Sequence, residues 1–230
     1  RSFLGPVWIT VSVLAWVGLI TFVFYDTLGN GARSYLTYTS AGIIAFTLIQ
    51  SAAIDSADTF RRSAAYVLNS TAPHFSYVLR PVFRSLISFV FHLPVLIAGV
   101  VFGQSSFAPS QAMIAIGGLT VVVVTLTGGA LFLSALCMFV RDFIFALQAL
   151  FRVLFFATPL FWSVESRQGP RAMLAEINPL THFIGLIREP LMGTLPDRMS
   201  IYVTLGLAAA LWVAGLIMFA YARRNIVARL

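Results

Sequence analysis

Long apolar runs alternate with short polar stretches along the whole chain. A helix needs about 20 mainly apolar residues to cross a hydrocarbon core ~30 Å thick. Six runs qualify: residues 6–25, 35–54, 85–102, 112–140, 143–164 and 201–221. The fourth is longer than a crossing needs and is expected to tilt or to extend beyond the bilayer. The fifth contains Pro159, which is expected to kink it. The pattern therefore predicts an all-α membrane protein of six transmembrane helices in one domain, residues 1–230. No internal repeat or low-complexity linker interrupts it.

Two polar stretches carry a helical period without the length of a span. In 58–69, Asp58 is placed as an N-cap. Phe60, Ala64, Val67 and Leu68 fall on one face, with Arg61, Arg62 and Asn69 elsewhere. Such a helix lies on the membrane surface or docks into a partner. In 178–193, Asn178 is the expected N-cap and Pro179 suits the first turn. Pro190 and Gly193 close the segment. About 12 residues rise ~18 Å, too little to span. Leu180, Phe183, Ile184 and Ile187 share one face, and Thr181, His182, Gly185, Arg188 and Glu189 share the other. Residues 170–176 read as a second short helix before it. The pair either re-enters the membrane, its polar ends meeting protein or water, or lies flat on the surface.

Charge sets the orientation. The chain is 59% hydrophobic and 10% charged, with a mean hydropathy of +0.91, whereas soluble domains carry about 25% charged residues. The N-terminus, the 55–84 loop, the 141–152 turn and the C-terminus hold ten arginines against three acids. The opposite side holds five of each. An excess of arginine marks the cytoplasmic side, so both termini are expected there and 178–193 outside. Topology thus accounts for the net charge of +7, and no nucleic-acid partner is called for. The chain begins at Arg1 rather than Met and is expected to lack its natural N-terminus.

Candidate chemistry is sparse. Lysine is absent, which excludes a Walker A loop and puts any ATP hydrolysis in another chain. Cys137 is the one cysteine, and His74, His92 and His182 share no ligand spacing. No catalytic residue and no metal site is assigned. Asp55 and Asp58 stand three apart, as in membrane enzymes that transfer phospho-alcohols, but without further acids helix capping is the expected role of Asp58. Aromatics are plentiful. Trp8, Trp16, Phe24, Tyr25, Tyr35 and Tyr38 lie in spans one and two; Phe151, Phe155, Phe156, Phe161 and Trp162 lie in span five. They form an interfacial belt or the lining of a path for sugar rings. Trp16 sits mid-span, where its N–H favours a protein or cavity contact. Arg152 lies within span five and either snorkels or pairs with Asp142. Thr125, Thr127, Gly128, Gly129, Ala130, Ser134 and Ala135 make span four suited to close helix packing.

Four motifs, in order, resemble the ABC-2 type permeases that export polysaccharides. They are Arg1-Ser-Phe-Leu-Gly-Pro-Val-Trp8, then Ala72-Pro-His74 with Leu79-Arg-Pro-Val-Phe-Arg-Ser-Leu86, then Arg141-Asp142 with Ala157-Thr-Pro-Leu-Phe-Trp162, then Asn178-Pro-Leu-Thr-His-Phe183 with Arg188-Glu-Pro-Leu-Met-Gly193. The last is most similar to O-antigen permeases. The resemblance implies a homodimer in a bacterial inner membrane, with an N-terminal interfacial helix of which only the end is present. It implies two copies of a separate ATPase that binds ATP and Mg, and an undecaprenyl-diphosphate-linked glycan as cargo. Asp58, Phe60, Arg61, Arg62, Val67, Leu68, Arg141 and Asp142 would couple to the ATPase. Trp16, Phe24, Tyr25, Tyr38, Phe155, Phe161 and Trp162 would line the path. Asn178, Pro179, Thr181, His182, Arg188 and Glu189 would form an external gate. The alternatives are an ABC-2 permease for a drug or lipid, a membrane-embedded phospho-alcohol transferase, and a scaffold or passive channel.

Overall fold

A computed structural model describes residues 5–24, 32–69, 72–103, 108–162 and 169–223. They form α1 (Gly5–Phe24), α2 (Ala32–Ala57), α3 (Thr59–Arg62), α4 (Ala64–Asn69), α5 (His74–Phe102), α6 (Pro109–Phe139), α7 (Phe143–Ala157), α8 (Pro170–Ile177), α9 (Pro179–Leu191) and α10 (Arg198–Ala222). Among the described residues, five helices are long and apolar enough to cross a membrane: α1, α2, α5, α6 and α10. α7 is apolar but shorter.

The fifth predicted crossing, 143–164, is not one kinked helix. α7 ends at Ala157, and Thr158 is extended at φ −90°, ψ 137°. Pro159 causes this: its ring disfavours helical geometry in the residue before it, and it has no N–H to continue the ladder. Fifteen helical residues rise ~22 Å, so the non-helical residues 158–162 carry the chain onward.

α2 is the central helix. Its small and hydroxylated residues, Thr37, Ser40, Ala41, Ala45 and Ala52, are all buried. They let neighbours approach closely. Thr37 Oγ1 donates to the Gly99 carbonyl at 2.8 Å, and a Cβ at Gly99 would collide with the Ser40 side chain. α6 and α10 pack through Gly128 and Gly215. A Cβ on Gly215 would lie 2.6 Å from the Gly128 oxygen, and one on Gly128 would lie 2.9 Å from Trp212 Cδ1. Trp212 Nε1 donates to the Val124 carbonyl at 2.9 Å. The small residues of span four therefore serve packing, as the pattern suggested.

Ring contacts fix the direction of each helix. Trp16 meets Phe155 and Phe24 meets Phe161, so α1 and α7 run parallel. Phe75 meets Phe219, and Phe139 meets Tyr221. The start of α5 and the ends of α6 and α10 thus share one end of the bundle, with α3 and α4. The loop after α7 and the pair α8–α9 lie at the other end.

The loop 58–69 forms two helices, α3 and α4, bent at Ser63. Phe60 and Val67 are buried in one cluster with Tyr77, Val78, Val82 and Leu131. Leu68, expected on the same face, is 52% exposed, because the bend rotates α4 relative to α3.

Candidate functional site

Three places gather the residues singled out in the sequence. The first is an aromatic column between α1 and α7. Trp16 stacks on Phe155 with centroids 5.1 Å apart. Phe155 meets Phe161 at 5.7 Å, and Phe161 meets Phe24 at 5.2 Å. Phe46 of α2 backs the column edge-on at Phe151 and Phe155. Offset and T-shaped pairs of this kind are the favoured aromatic geometries. The column is contiguous along the helix axes, with Trp16 37% and Phe156 69% exposed on its outer side. Phe46 was not among the aromatics singled out in the sequence. Phe46 gave no signal, standing alone among aliphatics in span two. Tyr25 lies outside the described residues.

The second place is the end of α7 where it meets α9. Residues 158–162 have no helical hydrogen bonds to offer their carbonyls, so side chains supply donors. Tyr38 Oη donates to the carbonyls of Pro159 and Trp162 at 2.8 and 2.9 Å. Tyr35 Oη donates to Phe161 at 2.7 Å. Arg188 Nη1 donates to Pro159 at 2.6 Å, and its guanidinium lies 4.0 Å over the Tyr38 ring. Asn178 caps α9 as expected, its Oδ1 accepting from Leu180 N at 3.0 Å. Its Nδ2 donates to Thr158 Oγ1 at 2.8 Å. Trp162 Nε1 donates to the Phe156 carbonyl at 3.1 Å.

α9 is buried on both faces. Its apolar residues Leu180, Phe183, Ile184 and Ile187 join the core. His182 and Arg188, placed on an open polar face by the sequence pattern, are each 7% exposed. His182 Nε2 lies 2.9 Å from the Glu176 carbonyl and Nδ1 lies 3.0 Å from Ser200 Oγ. A carbonyl only accepts, so Nε2 donates, and in the neutral ring Nδ1 accepts from the serine. Pro190 sits inside the last turn rather than ending the helix. Gly193, at φ 89°, ends it in the left-handed region that glycine adopts without cost. Glu189 Oε2 accepts from Asp197 N at 3.0 Å. Burial pushes the Glu189 carboxyl up, against that hydrogen bond. Thr181 Oγ1 is buried without a partner, and Pro179 is exposed.

The third place is at the opposite end. Asp58 Oδ1 accepts from Arg61 Nε and Oδ2 from Arg62 Nε, each at 2.6 Å. Asp55 Oδ1 accepts from Arg62 Nη1 at 3.0 Å. Asp58 therefore precedes α3 without a side-chain cap bond; its carboxylate clamps two arginines instead. Burial would raise the Asp58 carboxyl, but the hydrogen bonds from Arg61 and Arg62 outweigh it and hold the group below its ordinary 3.8. Asp58, Phe60, Arg61, Cys137 and Arg141 line one cavity of about 240 Å³. The fold thus joins the 58–69 loop to the 141–142 turn, eighty residues apart in sequence. Asp142 is exposed nearby. Among the described residues, no group of three acids, histidines or cysteines is placed to hold a metal.

Stacked apolar helices, with a short helix pair at one end of which α9 is buried, define a multi-pass membrane protein. The match to the family model for ABC-2 type transporters, over residues 1–192, shows that the chain belongs to that family. It is a transmembrane component of an ABC transporter, and membership of the family implies an ABC ATPase as partner. Comparison with curated proteins finds no match.

Proposed function

We propose that the chain is the permease of an ATP-driven exporter of a lipid-linked polysaccharide, O-antigen-like, in a bacterial inner membrane. Two copies pair with two ATPase subunits, which bind ATP and Mg. The arginine excess puts the α3–α4 end in the cytoplasm, facing the ATPases. Asp58, Arg61 and Arg141 around the cavity transmit the ATPase movement, and α9 with residues 158–162 gates the outer mouth. The observation that carries the glycan reading is the aromatic column, Trp16–Phe155–Phe161–Phe24. Aromatic faces present flat apolar surfaces to the apolar faces of sugar rings.

Reconstitution of the permease with its ATPase tests this. An isoprenoid-diphosphate-linked glycan is expected to stimulate ATP hydrolysis and to cross the membrane. Trp16→Ala combined with Phe156→Ala is expected to slow the glycan about tenfold with basal hydrolysis unchanged. Equal transport by wild type and the double variant would remove the support for the reading.

A second reading, export of an apolar drug or lipid, is favoured by a different feature. A cavity of about 300 Å³ between α2, α6, α9 and α10 is lined by Ile49, Val122, Leu126, Phe183, Leu207 and Leu211. Pockets of that size and character suit small apolar ligands. Stimulation of hydrolysis by apolar drugs, abolished by Gly129→Phe, together with no response to glycan, decides for it.

A further inference from the structure

Arg152 breaks the apolar surface of α7. Its neighbours Phe145, Leu150, Val153 and Phe156 are exposed, as Arg152 is. Two independent contacts give its depth. Phe155, one turn on, stacks on Trp16, near the middle of the apolar span Val7–Phe24. Phe151 and Phe155 both meet Phe46, near the middle of Ser34–Ala57. The parallel register of α1 and α7 also sets Ser12, exposed on α1, at about the level of Arg152.

The two ordinary fates of such an arginine do not fit. Snorkelling suits residues near helix ends, and Arg152 lies one turn from mid-depth. Ion pairing needs an acid, and the described acids Asp55, Asp58, Asp142, Glu176, Glu189 and Asp197 all lie near the ends of the bundle. The Arg152 side chain has no hydrogen bond, ion pair or ring contact among the described residues. In contrast, Arg188, which is buried, has a carbonyl and an aromatic face. An arginine one turn from mid-depth whose side chain meets neither acid nor carbonyl must meet water or a charged ligand.

We infer that Arg152 faces a water-filled path rather than lipid, and that it binds the phosphate oxygens of an anionic group there. The planar fork of arginine matches phosphate geometry with two parallel hydrogen bonds. The adjoining aromatic column gives the same path a surface for uncharged rings. This inference rests on the transport reading, and it adds an anion-binding residue to the path. The phosphate belongs either to the transported molecule or to a bilayer lipid headgroup drawn into the path.

Two measurements test it. In a Cys137→Ser background, Arg152→Cys in native membranes is expected to react with a water-soluble, cationic methanethiosulfonate. Ile87→Cys is the control, being exposed at mid-depth on α5. It is expected to react at least tenfold more slowly. Equal, slow labelling at both positions overturns the inference whatever the substrate is. In phosphatidylcholine vesicles holding the permease–ATPase complex, an isoprenoid diphosphate is expected to stimulate hydrolysis and the isoprenoid alcohol is not. Arg152→Gln is expected to require at least tenfold more of the diphosphate, and Arg152→Lys to recover part of the loss. If phosphatidylglycerol alone gives the Arg152-dependent stimulation, the headgroup is the source of the phosphate. A diphosphate response unchanged in Arg152→Gln overturns the binding role. No response even in wild type counts against the lipid-linked cargo, while the labelling still decides where Arg152 faces.

Discussion

Arg188 shows what a single side chain does at the outer end of the bundle. It satisfies the Pro159 carbonyl that the break in α7 leaves open, and it holds the Tyr38 ring that serves the same segment. Arg188→Ala removes a charged hydrogen bond and leaves a buried carbonyl short of a donor, a loss of about 2 kcal/mol. Thermal unfolding of the purified protein should record it. Arg188→Lys should recover little, because an ammonium lacks the planar face that lies over the tyrosine. Asp58 gives a pH dependence at the other end. Its folded pKa is lowered, so the clamp on Arg61 and Arg62 is in force above pH 3.8 and is lost as pH falls through the folded value. Amide exchange across α3 and α4, corrected for intrinsic rates, should accelerate on acidification in wild type. In Asp58→Asn it should already be fast at neutral pH and change little. Spacing placed His182 and Arg188 on one face of a helix and Asn178 at its cap. It carried no information on Ser200, Thr158 or Pro159 as their partners, since those contacts span 18 to 29 residues.

Elements obey the same split between local and distant causes. The apolar runs located α1, α2, α5, α6 and α10, because chain length against membrane thickness is a one-dimensional constraint; α5, however, begins at His74, within the stretch read as a loop. Pro159 signalled a disturbance in the fifth run. That the disturbance is a full break depends on Tyr35, Tyr38 and Arg188 being present to take up the freed carbonyls. The 58–69 loop had a helical period, yet its bend at Ser63 follows from Phe60 and Val67 docking on α5 and α6. Helix contact at the glycines is the sharpest test at this scale. Gly215→Ala would put a methyl 2.6 Å from the Gly128 oxygen, so α6 and α10 must separate. The expected cost is about 1–3 kcal/mol, read as a lowered Tm, with Gly206→Ala, which meets nothing within 4 Å, as the neutral comparison.

For the whole molecule, direction and sidedness combine. Ring contacts put the starts of α1, α5 and α7 and the ends of α6 and α10 at one end, and the arginine excess predicts that this end is cytoplasmic. Reporter fusions at residues 1 and 230 should both report a cytoplasmic location, while a reporter inserted at 195 should report the opposite side. A mixed result would mean that one of the six segments does not cross.

By itself the sequence determined the membrane setting and the apolar segments, and its arginine distribution predicts their orientation. Those properties depend on composition, length and charge count, which add up along the chain. Tertiary structure decided the rest. It stacked Trp16 on Phe155, closed one cavity from Asp58 and Arg141, buried the polar face of α9 and left Arg152 exposed on the apolar surface of α7. Each of these depends on which helices lie side by side. In a chain whose helices are nearly all apolar, hydrophobicity does not rank the possible neighbours; close packing at small residues and the need of buried polar groups for partners do.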